Sequence, residues 1–176
     1  MVARRLVEHR DAQAALLADE HRAQIRPGNF IATALLESIQ IDHTQSDVEE
    51  VDEGFRRAIG RPSLSVAIDT ATRCVIAIYV AIERPNAGAV ALLLSRVVLA
   101  ELAWLAAIGV EADWPMHGMP KMLHLDNAAE FKSRALWNGC GQYGIWLMYR
   151  PVGRPQFGGH VERLNRTQIS TMARLA

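Results

Sequence analysis

The sequence has few cysteines, no net charge and no long apolar run free of charges, and each shortage argues against a class of protein. Its only cysteines, Cys74 and Cys140, lie far apart and in no CxxC or Cys/His ligand spacing. This spacing argues against a structural zinc site, and so few cysteines favour a reducing, intracellular setting. The first residues, MVARRLVEHRDAQAALL, lack the apolar core of a signal peptide.

The longest apolar stretch, AGAVALLLSRVVLAELAWLAAIG from Ala87 to Gly109, is interrupted by Arg96 and Glu101. Either charge would be destabilising at the centre of a bilayer. We therefore interpret the stretch as a helix that is buried against a sheet, with Asn86 as its N-cap, and we expect no membrane span.

The 19 basic and 19 acidic residues cancel, but they are unevenly distributed. From Phe131 onward, seven Lys or Arg residues accompany a single acid, Glu162, whereas the first 130 residues contain 12 basic and 18 acidic residues. A basic C-terminal third can contact phosphate on one face even in a neutral protein. Exposed basic residues are more often simply solvated, and we interpret Lys132 and Arg134 in this way.

The hydrophobic pattern predicts a chain of strands and helices in an ordered sequence. Strands are predicted at 38–44, 63–69, 73–82, 120–127 and 145–150, and helices at 87–109, 133–144 and 160–176. Residues 1–35 are expected to form a lead-in helix and linker, and residues 36–176 the main domain, which ends within its last helix. The order β-β-β-α-β-α-β-α is typical of a ribonuclease H-like α/β domain, in which helices flank a mixed five-stranded sheet.

Two carboxylates interrupt otherwise apolar strands: Asp42 in IQIDHT and Asp126 at the end of LHLD. A lone buried carboxylate is unfavourable unless it is protonated or paired, so two interruptions suggest a shared cation. If the first and fourth predicted strands are neighbours, both side chains lie close together at one edge, where Glu162 of the last helix can join them. Three carboxylates favour Mg²⁺ or Mn²⁺. Two such ions about 4 Å apart could promote an in-line displacement at a phosphodiester.

The segments IDHT, LHLDNAAEF and RPVGRPQFGGHVERLNRT resemble the catalytic core of the retroviral integrase and bacterial transposase superfamily, and most closely the Mu phage-type transposases. The resemblance covers roughly residues 36–172. Members have an Asp, Asp, Glu triad, commonly with thirty-five residues between the last two, and 35 residues separate Asp126 from Glu162 here. Ile39 occupies the position of the family's usual tryptophan, which is a difference in packing and not in a ligand.

The resemblance implies a polynucleotidyl transferase that cuts a transposon end to free a 3′-hydroxyl and then joins it to target DNA, using two Mg²⁺ or Mn²⁺ ions. It also implies oligomers on paired DNA ends, accessory transposition proteins, and action on the nucleoid in a bacterial cytoplasm. The glycine-rich loop before Glu162 is expected to rearrange when DNA binds. The DNA contacts expected besides the triad are Asn127, Arg154, Arg163, Asn165 and Arg166.

The choice of the first aspartate and of the activity leaves alternatives. Asp69, at the end of SLSVAID, could replace Asp42, but it stands before a tight turn that its own side chain would ordinarily cap. We therefore favour Asp42. A ribonuclease H-like nuclease that only hydrolyses, or a non-catalytic DNA-binding or assembly module, would share the same fold.

Single polar residues near the triad also have two interpretations. His124 alternates with Asp126 and so shares its face, yet a histidine satisfied at a strand end is equally plausible. Asn127 could orient Asp126 or a phosphate, or cap the following turn. Arg166 could hold DNA or neutralise Glu162.

Overall fold

The structure, a computed structural model, describes residues 32–150 together with residues 163, 164 and 167. Residues 1–31, which are most of the predicted lead-in helix and linker of residues 1–35, lie outside this part of the chain. The strands described are β1 Ile39–Gln45, β2 Glu50–Val51, β3 Ala58–Gly60, β4 Ser63–Asp69, β5 Val75–Ala81, β6 Met122–Leu125 and β7 Trp146–Tyr149.

Five of these strands form one mixed sheet in the order β5-β4-β1-β6-β7. The strands β5, β4 and β1 are antiparallel, whereas β6 runs parallel to both β1 and β7. The crossover from the antiparallel meander to β6 therefore brings the first and fourth strands of the predicted sheet side by side. This sheet, with the helices that pack on it, confirms the predicted fold class.

The helices described between the strands are α1 Ala87–Val98, α2 Leu102–Ala107, a 3-10 helix Ala129–Lys132 and α3 Arg134–Gln142. As predicted, Asn86 caps α1, and its Oδ1 accepts a hydrogen bond of 3.1 Å from the Ala89 N–H. The apolar side of α1 is buried because Val90, Leu93 and Val97 follow helical spacing. The helix thus covers the sheet as expected.

The predicted single helix over 87–109 is wrong in one respect, because it breaks into α1 and α2. Leu99 adopts an extended backbone after α1, with φ −94° and ψ 152°. The break allows Trp104 of α2 to pack on Arg96, whose guanidinium carbon lies 4.1 Å from the indole centroid and whose Nη1 donates 2.7 Å to the Ile78 carbonyl. Within the described residues, no helix is long and apolar enough to cross a bilayer.

Alternate residues of the strands point to two faces of the sheet. The first face packs against α1, α3 and the 3-10 helix, and its buried strand residues include Ile39, Ile41, Ala67, Leu123, Leu125 and Leu147. The second face has a smaller cluster formed by Leu64, Val66 and Ile68, against which Leu164 packs. A segment near the end of the chain therefore lies on the second face.

The acidic connection between β1 and β4, for which no element was predicted, contains the β2–β3 hairpin. Its strands are two and three residues long, too short for alternation to be visible in the sequence. The turn is held by the carboxylate of Asp52, which accepts the backbone N–H groups of Gly54, Phe55 and Arg57 at 2.7–3.1 Å.

Candidate active site

Asp42 lies in the middle of β1, and Asp126 directly follows the end of β6, the parallel strand beside it. The register of β1 and β6 pairs Ile39 with Leu123 and Gln40 with His124. Continued two residues along both strands, this register sets Asp42 level with Asp126, on strands about 5 Å apart. Both side chains are half-buried. The sheet thus brings together the two aspartates that the sequence pointed to.

The carboxylate of Asp126 has one orientation fixed by its own turn, because its Oδ1 accepts a hydrogen bond of 2.8 Å from the Ala128 N–H. This bond forms where the chain leaves β6 and enters the 3-10 helix. A carboxylate that is held through one oxygen can present the other in a constant direction. Such preorganisation suits a group that binds a ligand.

Asp69 has a different environment from Asp42. It pairs with Ile39, three residues from Asp42 along β1 and so about 10 Å away. Its side chain is fully buried and accepts hydrogen bonds from the Leu36 N–H at 2.9 Å, the Thr72 N–H at 2.7 Å and the Thr72 hydroxyl at 2.8 Å. The expectation that Asp69 caps its own turn is therefore confirmed.

The second face of the sheet connects Asp42 with the end of the chain. Asp42 pairs with Val66 across the antiparallel β1–β4 ladder, so the two side chains share that face. Leu164 packs against the cluster to which Val66 belongs. Glu162 itself lies outside the described residues. Within the described residues, no group of three or more His, Cys, Asp or Glu side chains is placed to hold a metal.

His43, directly after Asp42, lies on the first face of the sheet, where it contacts β4 and the 3-10 helix. Its ring stacks on Phe131 with centroids 4.8 Å apart and planes 7° from parallel. Its Nδ1 forms a hydrogen bond of 2.7 Å with Ser65 Oγ, and its Nε2 lies 4.0 Å from Glu130 Oε1. Burial lowers the pKa of His43, against the opposing effect of the Glu130 and Asp126 carboxylates.

The polar residues near Asp126 in the sequence, His124 and Asn127, both interact with Arg150, which follows β7. His124 is buried, and burial together with the positive charge of Arg150 lowers its pKa to about 4, so the ring is neutral at pH 7. The exposed Asn127 donates a hydrogen bond of 2.7 Å from Nδ2 to the Arg150 carbonyl, and not to the turn that follows it. Tyr149, the last residue of β7, pairs with Leu125, the last residue of β6. Arg150 therefore follows β7 at the same level as Asp126 follows β6.

The remaining predicted site residues lie at or beyond the edge of the described chain. Arg163 is exposed on a helical segment. The predicted metal ligand Glu162 and the predicted DNA contacts Arg154, Asn165 and Arg166 lie outside the described residues, as does the glycine-rich loop. Lys132 and Arg134 are exposed, as expected for solvated residues.

Two residues near the candidate site were not singled out in the sequence. His43 gave no signal, because strand alternation puts it on the face opposite Asp42 and its partners are far away in sequence. In the sequence, Arg150 stood out only as one of the basic residues of the C-terminal third. It directly follows β7, at the same edge of the sheet as Asp126. Its Nε and Nη2 atoms are buried and have no hydrogen-bond partner among the described residues.

Comparison with known proteins identifies the family. Residues 40–175 match the family model described as the TnsB C-terminal domain. The chain is 28% identical over 132 residues to the transposase for transposon Tn552 of Staphylococcus aureus, covering 75% of this chain and 25% of the relative. It is 27% identical over 158 residues to the transposon Tn7 transposition protein TnsB of Escherichia coli, covering 85% and 22%. The chain thus spans about a quarter of the length of these relatives.

A solved structure supports the fold independently. A chain of the simian T-cell lymphotropic virus intasome, determined by cryo-electron microscopy, superposes with a TM-score of 0.52 at 20% identity, covering 79% of this chain and 41% of that one. At this identity the similarity concerns the fold alone. The family match spans more than half of the chain, and the protein therefore belongs to the TnsB C-terminal domain family of transposases, within the integrase and transposase superfamily.

Proposed function

We propose that this chain is the catalytic core of a DNA transposase, a polynucleotidyl transferase that cleaves transposon 3′ ends and transfers them to target DNA. The observation that supports this most strongly is the parallel pairing of β1 with β6, whose register sets Asp42 level with Asp126. Two carboxylates at one sheet edge, in a chain of this family, fit phosphoryl transfer better than any other chemistry available to these residues.

The third proposed ligand is Glu162. Leu164, two residues later, packs on the same face of the sheet as Asp42, which supports a helix that delivers a side chain to this edge. Asp69 fits the role of first ligand poorly, because all three hydrogen bonds to its carboxylate are structural.

The donor set fits Mg²⁺ or Mn²⁺, since carboxylate oxygens are hard ligands and the fixed Asp126 leaves an oxygen available. Asp42, Asp126 and Glu162 would hold two ions, which would activate the attacking oxygen and stabilise the leaving oxygen. In the first step the oxygen of water attacks the phosphorus, and the bond to the 3′-oxygen breaks to leave a free 3′-hydroxyl. In the second, that 3′-oxygen attacks the phosphorus of a target phosphodiester, the bond from this phosphorus to the target 3′-oxygen breaks to release a target 3′-hydroxyl, and no covalent enzyme intermediate forms.

The DNA would cross the sheet edge between Asp126 and the last helix. We propose Asn127, Arg154, Arg163, Asn165 and Arg166 as its contacts, with Arg150 as a further one. The Nε and Nη2 atoms of Arg150 form one side of the guanidinium, which can hold two oxygens of a phosphate at once. Both donors are buried, so a phosphodiester would reach them only when the Arg150 side chain turns outward, and it would then give them the partner that they lack among the described residues.

The proposed partners are transposon ends and target DNA, with other copies of the chain and accessory transposition proteins, in a bacterial cytoplasm and at the nucleoid. The protein named TnsB is described as a transposition protein of Tn7, and the present chain is similar to about a fifth of it. Since whole transposases are longer, assembly on paired ends would involve more than the described domain.

The experiment that tests the proposal incubates the chain with supercoiled plasmid and a labelled oligonucleotide in Mn²⁺. A transposase core nicks the plasmid and joins the oligonucleotide 3′-hydroxyl to it, and Asp42→Asn and Asp126→Asn lose both reactions whereas Asp69→Asn keeps them. Nicking without joining would instead identify a nuclease that only hydrolyses. Binding of the plasmid with neither reaction would identify a non-catalytic DNA-binding module and contradict the proposal.

A further inference from the structure

The tip of the β2–β3 hairpin, residues 52–57, presents an aromatic side chain to solvent. Phe55 is 81% exposed, more than any other large hydrophobic residue in the described part of the chain. Exposed single hydrophobic residues are common, but a phenylalanine exposed to this extent buries so little apolar surface that it contributes almost nothing to the stability of the folded state. Its position therefore points to a ligand outside the domain.

The tip is rigidly built, so Phe55 is held outward by the fold. The Asp52 carboxylate accepts the N–H groups of Phe55 at 2.7 Å, Arg57 at 2.8 Å and Gly54 at 3.1 Å. The backbone closes the turn with bonds from the Asp52 N–H to the Arg57 carbonyl and from the Arg56 N–H to the Asp52 carbonyl. Arg56 has φ 56°, in the left-handed region that is unfavourable for a residue with a side chain.

One arginine lies over the aromatic ring, and two others close to it in the sequence are exposed. The Arg57 guanidinium carbon lies 5.4 Å from the Phe55 ring centroid, and Arg56 and Arg61 are also exposed. An exposed aromatic ring among arginines is the combination by which proteins stack on unpaired bases and hold the phosphates beside them. The surface of a six-residue tip is also much smaller than the roughly 800 Å² per partner that a stable protein interface buries. These features favour DNA over a protein partner.

The hairpin leaves the sheet at the edge where the candidate site lies. Four residues, 46–49, separate the end of β1 at Gln45 from the hairpin, and Gln45 pairs with Ser63 at the start of β4. Asp42 lies thirteen residues before Phe55, so the chain between them spans at most about 43 Å. At 3.4 Å per base pair, the tip reaches DNA within about a dozen base pairs of a phosphodiester at Asp42.

We propose that the hairpin tip binds the DNA that flanks the reacting phosphodiester. Phe55 stacks on a base that is unpaired where the duplex ends or opens, and Arg56 and Arg57 contact phosphates. The exposed acidic residues Glu49, Glu50 and Glu53 precede Phe55, on the β2 side of the hairpin, whereas the arginines follow it, so the DNA approaches from the β3 side. The identity of the ligand rests on the proposed function, but the contact itself requires no catalysis.

The test measures binding of a labelled duplex with a short unpaired overhang, by fluorescence anisotropy in EDTA, so that no metal-dependent reaction occurs. Phe55→Ala weakens binding about tenfold, Phe55→Trp retains it, and both leave the melting temperature unchanged because the ring is exposed. Arg57→Gln lowers the slope of log K against log salt by about one. The matched control is Tyr143→Ala, which removes another exposed aromatic, at the end of α3, and leaves binding unchanged.

Equal affinity and salt slope in the wild type, Phe55→Ala and Arg57→Gln would overturn the proposal. So would a loss of self-association by Phe55→Ala in sedimentation with DNA affinity intact, because the tip would then contact protein. The proposed function fails separately: a plasmid neither nicked nor joined, together with weaker overhang binding by Phe55→Ala, would remove the catalytic assignment and leave the hairpin contact standing.

Discussion

Replacing Asp69 by alanine distinguishes a structural aspartate from a catalytic one. The substitution removes three hydrogen bonds to a buried, charged acceptor, from the Leu36 N–H, the Thr72 N–H and the Thr72 hydroxyl. At about 1.5 kcal/mol for each of the three bonds to the carboxylate, the free energy of unfolding falls by about 4.5 kcal/mol. The conservative Asp42→Asn keeps the shape of a half-buried side chain and changes stability by less than about 1 kcal/mol.

Urea unfolding followed by circular dichroism measures both variants. With a slope of about 2 kcal/mol/M, Asp69→Ala lowers the urea midpoint by about 2 M, whereas Asp42→Asn leaves it within about 0.5 M of wild type. The reasoning is refuted if Asp69→Ala unfolds at the wild-type midpoint, or if Asp42→Asn causes the larger loss. Either result would mean that Asp69 does not hold its turn as these hydrogen bonds indicate.

Three further substitutions have defined outcomes. Arg150→Lys keeps the charge but loses the paired donors, so oligonucleotide joining falls about 10–100-fold at an unchanged melting temperature, and joining at the wild-type rate would contradict a phosphate contact. His43→Ala loses the stack on Phe131 and the bond to Ser65 and lowers the free energy of unfolding by about 2 kcal/mol in urea, whereas His43→Phe keeps the stack and loses less. Burial raises the pKa of Glu101, so the folded state favours its neutral form and stability falls as pH rises from the ordinary value of 4.5 through the raised pKa. Relative to wild type, Glu101→Gln is therefore more stable at pH 7 than at pH 4, and an equal difference from wild type at both pH values would contradict this.

The strands were predictable because each has a strong alternating or β-branched pattern, and their order left few topologies. SIQIDHT and SLSVAID both show period-two alternation, and the connection through α1 requires β6 to run parallel to its neighbour. The break in the apolar helix was not predictable, because it depends on the packing of Trp104 on Arg96 and on no helix-breaking residue. The short β2–β3 hairpin was missed because its turn depends on hydrogen bonds to Asp52.

The positions of the site residues were less predictable than the strands. The sequence indicated that Asp42 and Asp126 interrupt apolar strands, but only the parallel register makes them level. The distinction between Asp42 and Asp69 required the hydrogen bonds of Asp69, one of which comes from Leu36, 33 residues away. The same limit explains why His43 was overlooked, since its contacts with Ser65 and Phe131 arise only in the folded sheet.

The most direct test of the central claim is a Mn²⁺ titration by calorimetry of the wild-type chain beside Asp42→Asn, Asp126→Asn, Glu162→Gln and Asp69→Asn. The account predicts that the wild type and Asp69→Asn bind Mn²⁺ with the same affinity, while the other three variants bind it more weakly or not at all. Equal binding by all the variants, or a loss confined to Asp69→Asn, would contradict the assignment of Asp42, Asp126 and Glu162 as the metal ligands.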